Sequence, residues 1–265
     1  MALKPEMMTS PFKMNILLTN DDGIYADGLW ALYTRFADQH SVSVIAPDRE
    51  RSAVGHGITL HEALRATMVT VNGGYMGYAV NGTPADCIKL GLLEILDTKP
   101  DIVISGINPG ANVGVNINYS GTVAAAKEAA LYGILAISVS IHGHQIENYD
   151  DATGFIQKLA ENVCNNGLPS GTFLNVNIPD IPWEDIAGIR ISRQGTEFFT
   201  EYIEKRTDPR NRTYYWQGSD PQTSYKNPDL DGAVIGRNFI SITPIKCDMT
   251  DYHAIEDLKG WNINK

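Results

Sequence analysis

Two adjacent carboxylates, Asp21 and Asp22, stand in MNILLTNDDGIYADG (residues 14–28), between a short apolar run and a helical pattern. Neighbouring anions repel unless a cation or a shared proton lies between them. Carboxylate, hydroxyl and amide oxygens suit Mg²⁺, Mn²⁺ or Ca²⁺ rather than a soft-ligand zinc site. Read alone, the pair is also an ordinary solvated turn, because Asn and Asp bond their own backbone and Gly accepts positive φ. Two further oxygen donors share the placement: Ser52 in DRERSAVGHG after a second apolar run, and Asn108 in GINPGANVG after a third. Each alone reads as a cap or turn residue. Joined to the acid pair they form a ligand set for one divalent ion, with positions left for water and substrate.

Asn112 and the run Ser120-Gly121-Thr122 make a second group, just before an Ala-rich helical pattern. Amides at a helix start bind phosphate, and Gly121 permits close approach. The same residues also read as an N-cap. No lysine follows a GxxxxG loop and no GxGxxG follows the first strand, which disfavours a P-loop NTPase and a dinucleotide site. His56, in the Ser52 loop, is a candidate donor to a substrate. Asp248 follows a late apolar run and either approaches the same cleft or caps a short helix near Ala254–Leu258. His142 and His144 read as ligands or as polar loop.

Such residues meet only if buried strands carry them to one edge of a sheet. Strand patterns cover Asn15–Thr19, Val42–Ala46, Tyr78–Val80, Asp101–Ser105, Ile134–Ile141 and Phe173–Ile178. Helical patterns start at Asp27 (as N-cap), at Thr83-Pro84 and after Ser120, and a fourth spans Asp151–Val163. The alternation predicts an α/β fold, a mainly parallel sheet with helices on both faces, whose loops converge at the carboxyl edge. From about Trp183 the strands Ile189–Ser192, Arg212–Trp216 and Phe239–Pro244 flank a polar, turn-rich segment with Asp220-Pro221, Asn227-Pro228 and Asp231-Gly232. That pattern predicts a protruding hairpin or arm, in which Tyr214, Tyr215 and Trp216 stack a base or form a subunit interface. The expected division is an N-terminal extension (1–13), a catalytic domain (14–182), and C-terminal strands, arm and terminal helix (183–265).

The 31 acidic and 21 basic residues give a formal charge of −10, which argues against coating duplex nucleic acid. Three scattered cysteines suggest a reducing compartment. Residues 1–13 lack an apolar core for a signal peptide, and Ile134–Ile141 is far too short to span a membrane. The expectation is a cytoplasmic protein without a membrane partner.

The segments NILLTNDDGIYADGL, APDRERSAVGHGITL, VNGTPADCIKLGL, DIVISGINPGANVGVNINYSGTVAAAKEA and SITPIKCDMTD together resemble the SurE survival-protein family of metal-dependent nucleotidases. The resemblance runs from about Met14 to Asp251. It implies a Rossmann-like domain with an extended C-terminal β-hairpin arm that helps form homodimers or homotetramers. It implies hydrolysis of nucleoside 5′- or 3′-monophosphates, in some members with activity on short polyphosphate. It also implies one divalent ion, Mg²⁺ or Mn²⁺ with Ca²⁺ as an occupant, on Asp21, Asp22, Ser52 and Asn108. The implied phosphate pocket falls on Asn112 and Ser120–Thr122. Residues 1–13 exceed the family pattern, some relatives carry Asn at the position of His56, and others place a His near Asp248 where this chain has Tyr252 and, one residue late, His253. The proton donor therefore stays open. Two rivals also stay open: a phosphatase forming an aspartyl-phosphate at Asp21, although such enzymes separate their aspartates by one residue, and a non-catalytic, metal-dependent nucleotide sensor.

Overall fold

The computed structural model describes residues 13–71, 73–143, 145–196, 201–219, 227–261 and 263. Residues 1–12, His144 and Asp220-Pro221 lie outside them. In chain order the elements are β1 (Asn15–Thr19), α1 (Asp27–Ala37), β2 (Ser41–Pro47), β3 (Ala66–Val71), β4 (Tyr75–Val80), α2 (Pro84–Leu90), β5 (Ile102–Pro109), α3 (Gly121–Leu131) and β6 (Leu135–His142). They continue as α4 (Asp150–Asn166), β7 (Thr172–Pro179), β8 (Gly188–Ile191), β9 (Glu201–Thr207), β10 (Thr213–Ser219), α5 (Asp231–Ile235), β11 (Phe239–Lys246) and α6 (Tyr252–Lys259).

Nine strands form one sheet in the order β3-β4-β2-β1-β5-β6-β7-β11-β8, parallel except where β3 meets β4 and β7 meets β11. Strands β1 and β5 read as unbroken apolar runs because both sheet faces are covered. Leu29, Leu32 and Phe36 of α1 and Ile156, Ala160 and Val163 of α4 pack with Ile16, Leu18 and Ile104 on one face. On the other, Cys87 and Ile88 of α2 and the alanines of α3 pack with Leu17, Val103 and Phe173. The chain leaves β1 toward β2 and β4, then returns to β5 on β1's other side. The carboxyl end of β1 is thus the topological switch point, where open α/β sheets bind ligands.

The α/β reading holds, and so does the arm: β9 and β10 form a separate two-stranded antiparallel hairpin. Strands β3 and β9 were not expected. Most of their described side chains face solvent, so neither shows the buried apolar run by which the buried strands are recognised. The helical pattern after Thr83, expected over Ala85–Leu96, is met by α2 to Leu90 and, continuous with it, a π-helical turn over Gly91–Ile95. Its start is as expected, with Thr83 and Asp86 forming a reciprocal capping box. For α1, the N-cap is Ala26 rather than Asp27, whose carboxylate lies in the first turn. No helix among the described residues is long and apolar enough to cross a membrane.

Candidate metal and phosphate site

The DDG turn is built by its neighbours. Asn20 donates its side-chain amide to the Gly23 carbonyl (3.0 Å) and accepts from the Gly23 N–H (3.2 Å). Gly23 takes φ +99°, and a Cβ there would meet the Arg49 backbone at 3.0 Å. That close approach joins the loop after β1 to the loop after β2. The Ile24 N–H donates to the Pro47 carbonyl (2.8 Å) and the Arg51 N–H to the Asp21 carbonyl (2.7 Å). The third loop arrives on β5, whose Ser105 is in register with Thr19 of β1. Three adjacent strands thus deliver the DDG turn, the Ser52 loop and Asn108 to one edge, as the strand ends predict.

Asp21 is 5% exposed and rests on the start of α3. A Cβ on Gly121 would lie 2.9 Å from Asp21 Oδ2, so only glycine fits beneath the carboxylate. The Thr122 hydroxyl donates to Asp21 Oδ1 at 2.5 Å. Burial raises the Asp21 carboxyl above its ordinary range, while the Thr122 hydroxyl and the amides of Thr122 and Gly121 pull it back. Asp22 has less help. Burial first, then the charges of Asp21 and Glu50, push its carboxyl up to about 7. Its Oδ2 is buried with no hydrogen-bond partner among the described residues.

The other two expected ligands present usable oxygens. Asn108 donates its amide N–H to the Gly110 carbonyl (2.6 Å), which leaves its side-chain oxygen as the uncommitted end. The exposed Ser52 hydroxyl donates to Glu50 Oε1 at 2.5 Å and keeps its lone pairs. Two carboxylates starved of counter-charge, an amide oxygen and a hydroxyl suit a hard, oxygen-seeking dication. No cluster of three or more His, Cys, Asp or Glu side chains occurs among the described residues, so the candidate set is two carboxylates joined by neutral amide and hydroxyl oxygens.

Asn112 is clamped from three sides. Its backbone N–H donates to Asn177 Oδ1 (2.8 Å), its side-chain amide to Ser140 Oγ (2.9 Å), and its carbonyl accepts from Asn175 (2.8 Å) and Asn177 (3.1 Å). Two residues on, the Gly114 N–H donates to Asp231 Oδ2 (2.8 Å), a fully buried carboxylate whose other oxygen accepts from the Gly195 and Gly232 N–H groups (3.1 and 2.9 Å). Asp231→Asn turns an N–H donor toward one of these backbone donors. It is expected to lower stability by about 2 kcal/mol, read from the urea midpoint.

Ser120 is the N-cap of α3: its Oγ accepts from the Val123 N–H (3.1 Å) and keeps its own hydrogen for a ligand. Thr122 has spent its hydroxyl on Asp21. Thr122→Val is therefore expected to cut turnover and Mn²⁺ affinity by about ten- to a hundredfold without unfolding, measured by initial rates and metal titration.

Of the two auxiliary residues, His56 lines a small cavity together with Ser120, Lys127 and Lys246. His56 Nε2 is 2.6 Å from Glu128 Oε2, and Lys89 approaches the other oxygen at 3.4 Å. Burial would raise the Glu128 carboxyl, but His56 and Lys89 together hold it below its usual range. Asp248 accepts from the Tyr252 hydroxyl and the Thr250 N–H, which bring it down to about 2. Among the described residues its contacts are local, and its loop leans on α3, where Lys127 Nζ meets Met249 Sδ at 3.6 Å. Asp251, not Asp248, caps α6. Sequence reading missed Glu50, Ser140, Asn175, Asn177 and Asp231. It also missed Tyr149, whose hydroxyl is raised by burial and then by Asp27, Asp22 and Asp180.

The topology defines an α/β protein that carries a largely buried carboxylate pair at its switch point. The profile described as "Survival protein SurE" matches residues 16–201, and the chain belongs to that family. It is 56% identical over 252 residues to the 5'-nucleotidase SurE of Desulfatibacillum aliphaticivorans, covering 95% of this chain and all of the relative. The 5'-nucleotidase SurE of Heliobacterium modesticaldum is 46% identical over 94% of this chain and 92% of its own length. A crystal structure of the SurE protein from Aquifex aeolicus superposes with a TM-score of 0.81 at 36% identity, covering 92% of this chain and 98% of that one.

Proposed function

We propose that the protein is a divalent-metal-dependent 5'-nucleotidase, releasing phosphate from nucleoside 5′- and 3′-monophosphates. The observation that carries the reading is the buried, partnerless Oδ2 of Asp22 beside Asp21, at the switch point and against the start of a helix. The relatives' names, at up to 56% identity over most of the chain, supply the nucleotide. Asp21, Asp22, Ser52 and Asn108 would hold Mg²⁺ or Mn²⁺. When bound, such an ion neutralises phosphate charge and lowers the pKa of a water.

The chain's own residues do the rest. Thr122 and Gly121 fix the Asp21 carboxylate so that it does not follow the substrate. The Ser120 hydroxyl and the remaining amide hydrogen of Asn112 are left free to donate to phosphate oxygens, helped by the positive end of α3. Asp22 orients the attacking water. The aspartyl-phosphate route is disfavoured by geometry, since one Asp21 oxygen is bonded to Thr122 and the other packs on Gly121. The exposed Tyr202, Ile203, Tyr215 and Trp216 of the arm support assembly as a homodimer or homotetramer.

A panel of nucleoside monophosphates crossed with Mg²⁺, Mn²⁺ and Ca²⁺, read as free phosphate, tests the activity. Release that needs the metal is expected. Binding without release across the panel would support the sensor instead.

A further inference from the structure

The nucleoside portion of the substrate still needs a place. A cavity of 530 Å³ opens between the loop after β6 and the loop after β7. Its lining includes the apolar side chains of Ile141, Ala152, Ile178 and Ile186 and the indole of Trp183. Phe155 backs that indole at a centroid distance of 6.2 Å. The rim carries the amides of Gln145 and Asn148 and the carboxylates of Glu147, Asp151 and Asp180. A cavity that pairs apolar side chains and an aromatic ring with a few placed polar groups is a usual construction of a small-molecule site.

Its charge says which end of a nucleotide it takes. The described lining holds three carboxylates and no Lys, Arg or His, so it repels phosphate and accepts from hydroxyl and amino donors. Its position agrees. The carboxyl ends of β6 and β7 lie two and three strands from β1, roughly 10–14 Å at the usual strand spacing. That is the reach of a nucleoside monophosphate from phosphorus to base. The remaining cavities fit less well. One of 360 Å³ opens near Asn15, Ser41 and Pro100, at the amino ends of their strands. One of 170 Å³ beside α3 is small and basic, with Lys127, Lys246 and His56.

We propose that this cavity binds the nucleoside, with the base against Trp183 and ribose hydroxyls or exocyclic amines on the acidic rim, while the phosphate lies at Asp22. The assignment rests on the nucleotidase reading. The test compares wild type, Trp183→Ala and Asn148→Ala on AMP and on ribose 5-phosphate, which has no base. Calorimetric titration with adenosine reads the cavity without catalysis. Trp183→Ala should raise the KM for AMP by about tenfold, leave that for ribose 5-phosphate within about twofold, and abolish adenosine binding. Asn148→Ala should change AMP in the same direction, by less. Unchanged KM for AMP, equal changes for both substrates, or adenosine bound equally by wild type and Trp183→Ala would overturn the proposal. If wild type hydrolyses neither ester, the nucleotidase reading fails, and the adenosine titration still decides the cavity.

Discussion

Asp22→Asn should lose phosphate release by about a thousandfold or more while making the metal-free protein more stable. The two effects have one cause. Asp22 puts a charge where burial, Asp21 and Glu50 all oppose it, and one of its oxygens is buried without a partner. Asparagine removes that charge at nearly constant volume. With EDTA at pH 8, the variant should unfold at higher urea, by about 1–3 kcal/mol after allowance for solvent screening. Lost activity with gained stability separates a broken ligand set from a broken fold. A variant that is inactive and less stable would point to a structural role.

The second large effect is on pH and metal. The Asp22 carboxyl lies near 7 in the folded chain against 3.8 for an ordinary aspartate. Below the lower value both states are protonated and the group contributes nothing. Between the two, the folded state holds a proton the unfolded state has released, so stability falls as pH rises through that window. The metal-free wild type should therefore lose stability relative to Asp22→Asn between about pH 4 and 7. Using the difference removes groups such as Glu128, whose lowered carboxyl acts in the opposite sense. Mn²⁺ at a hundred times its Kd should restore about 2.7 kcal/mol at pH 8 and much less at pH 5, where Asp22 holds a proton that the ion must displace. Thermal melts across pH, with and without Mn²⁺, measure both.

Much of this site could be read without coordinates, for a specific reason. Strands β1 and β2 become continuously buried toward their carboxyl ends and β5 is buried from Ile102 through Ile107, so each apolar run stops sharply near the loop that carries the candidate ligand. The parallel alternation then places those loops side by side. Hidden from that reasoning were polar residues inside strands. Ser138 and Ser140 of β6 and Asn175 and Asn177 of β7 are fully buried, face α3, and hold the Asn112 loop. Their signal was present: alternate polar positions in SVS and LNVN mark one face of strands too apolar to be exposed. Glu50 and Tyr149 left no comparable trace, because only folding brings them near Asp22. Thr122 reads from sequence as a phosphate donor, yet its hydroxyl goes to Asp21, a pairing 101 positions apart that no local pattern encodes.

Anomalous diffraction from a crystal soaked in Mn²⁺ tests the central claim most directly. The account predicts one strong peak within about 2.5 Å of side-chain oxygens of Asp21, Asp22 and Asn108, with Ser52 turned from Glu50 toward it directly or through water. A fully occupied peak elsewhere, with Asp22 Oδ2 still unpartnered, would contradict it.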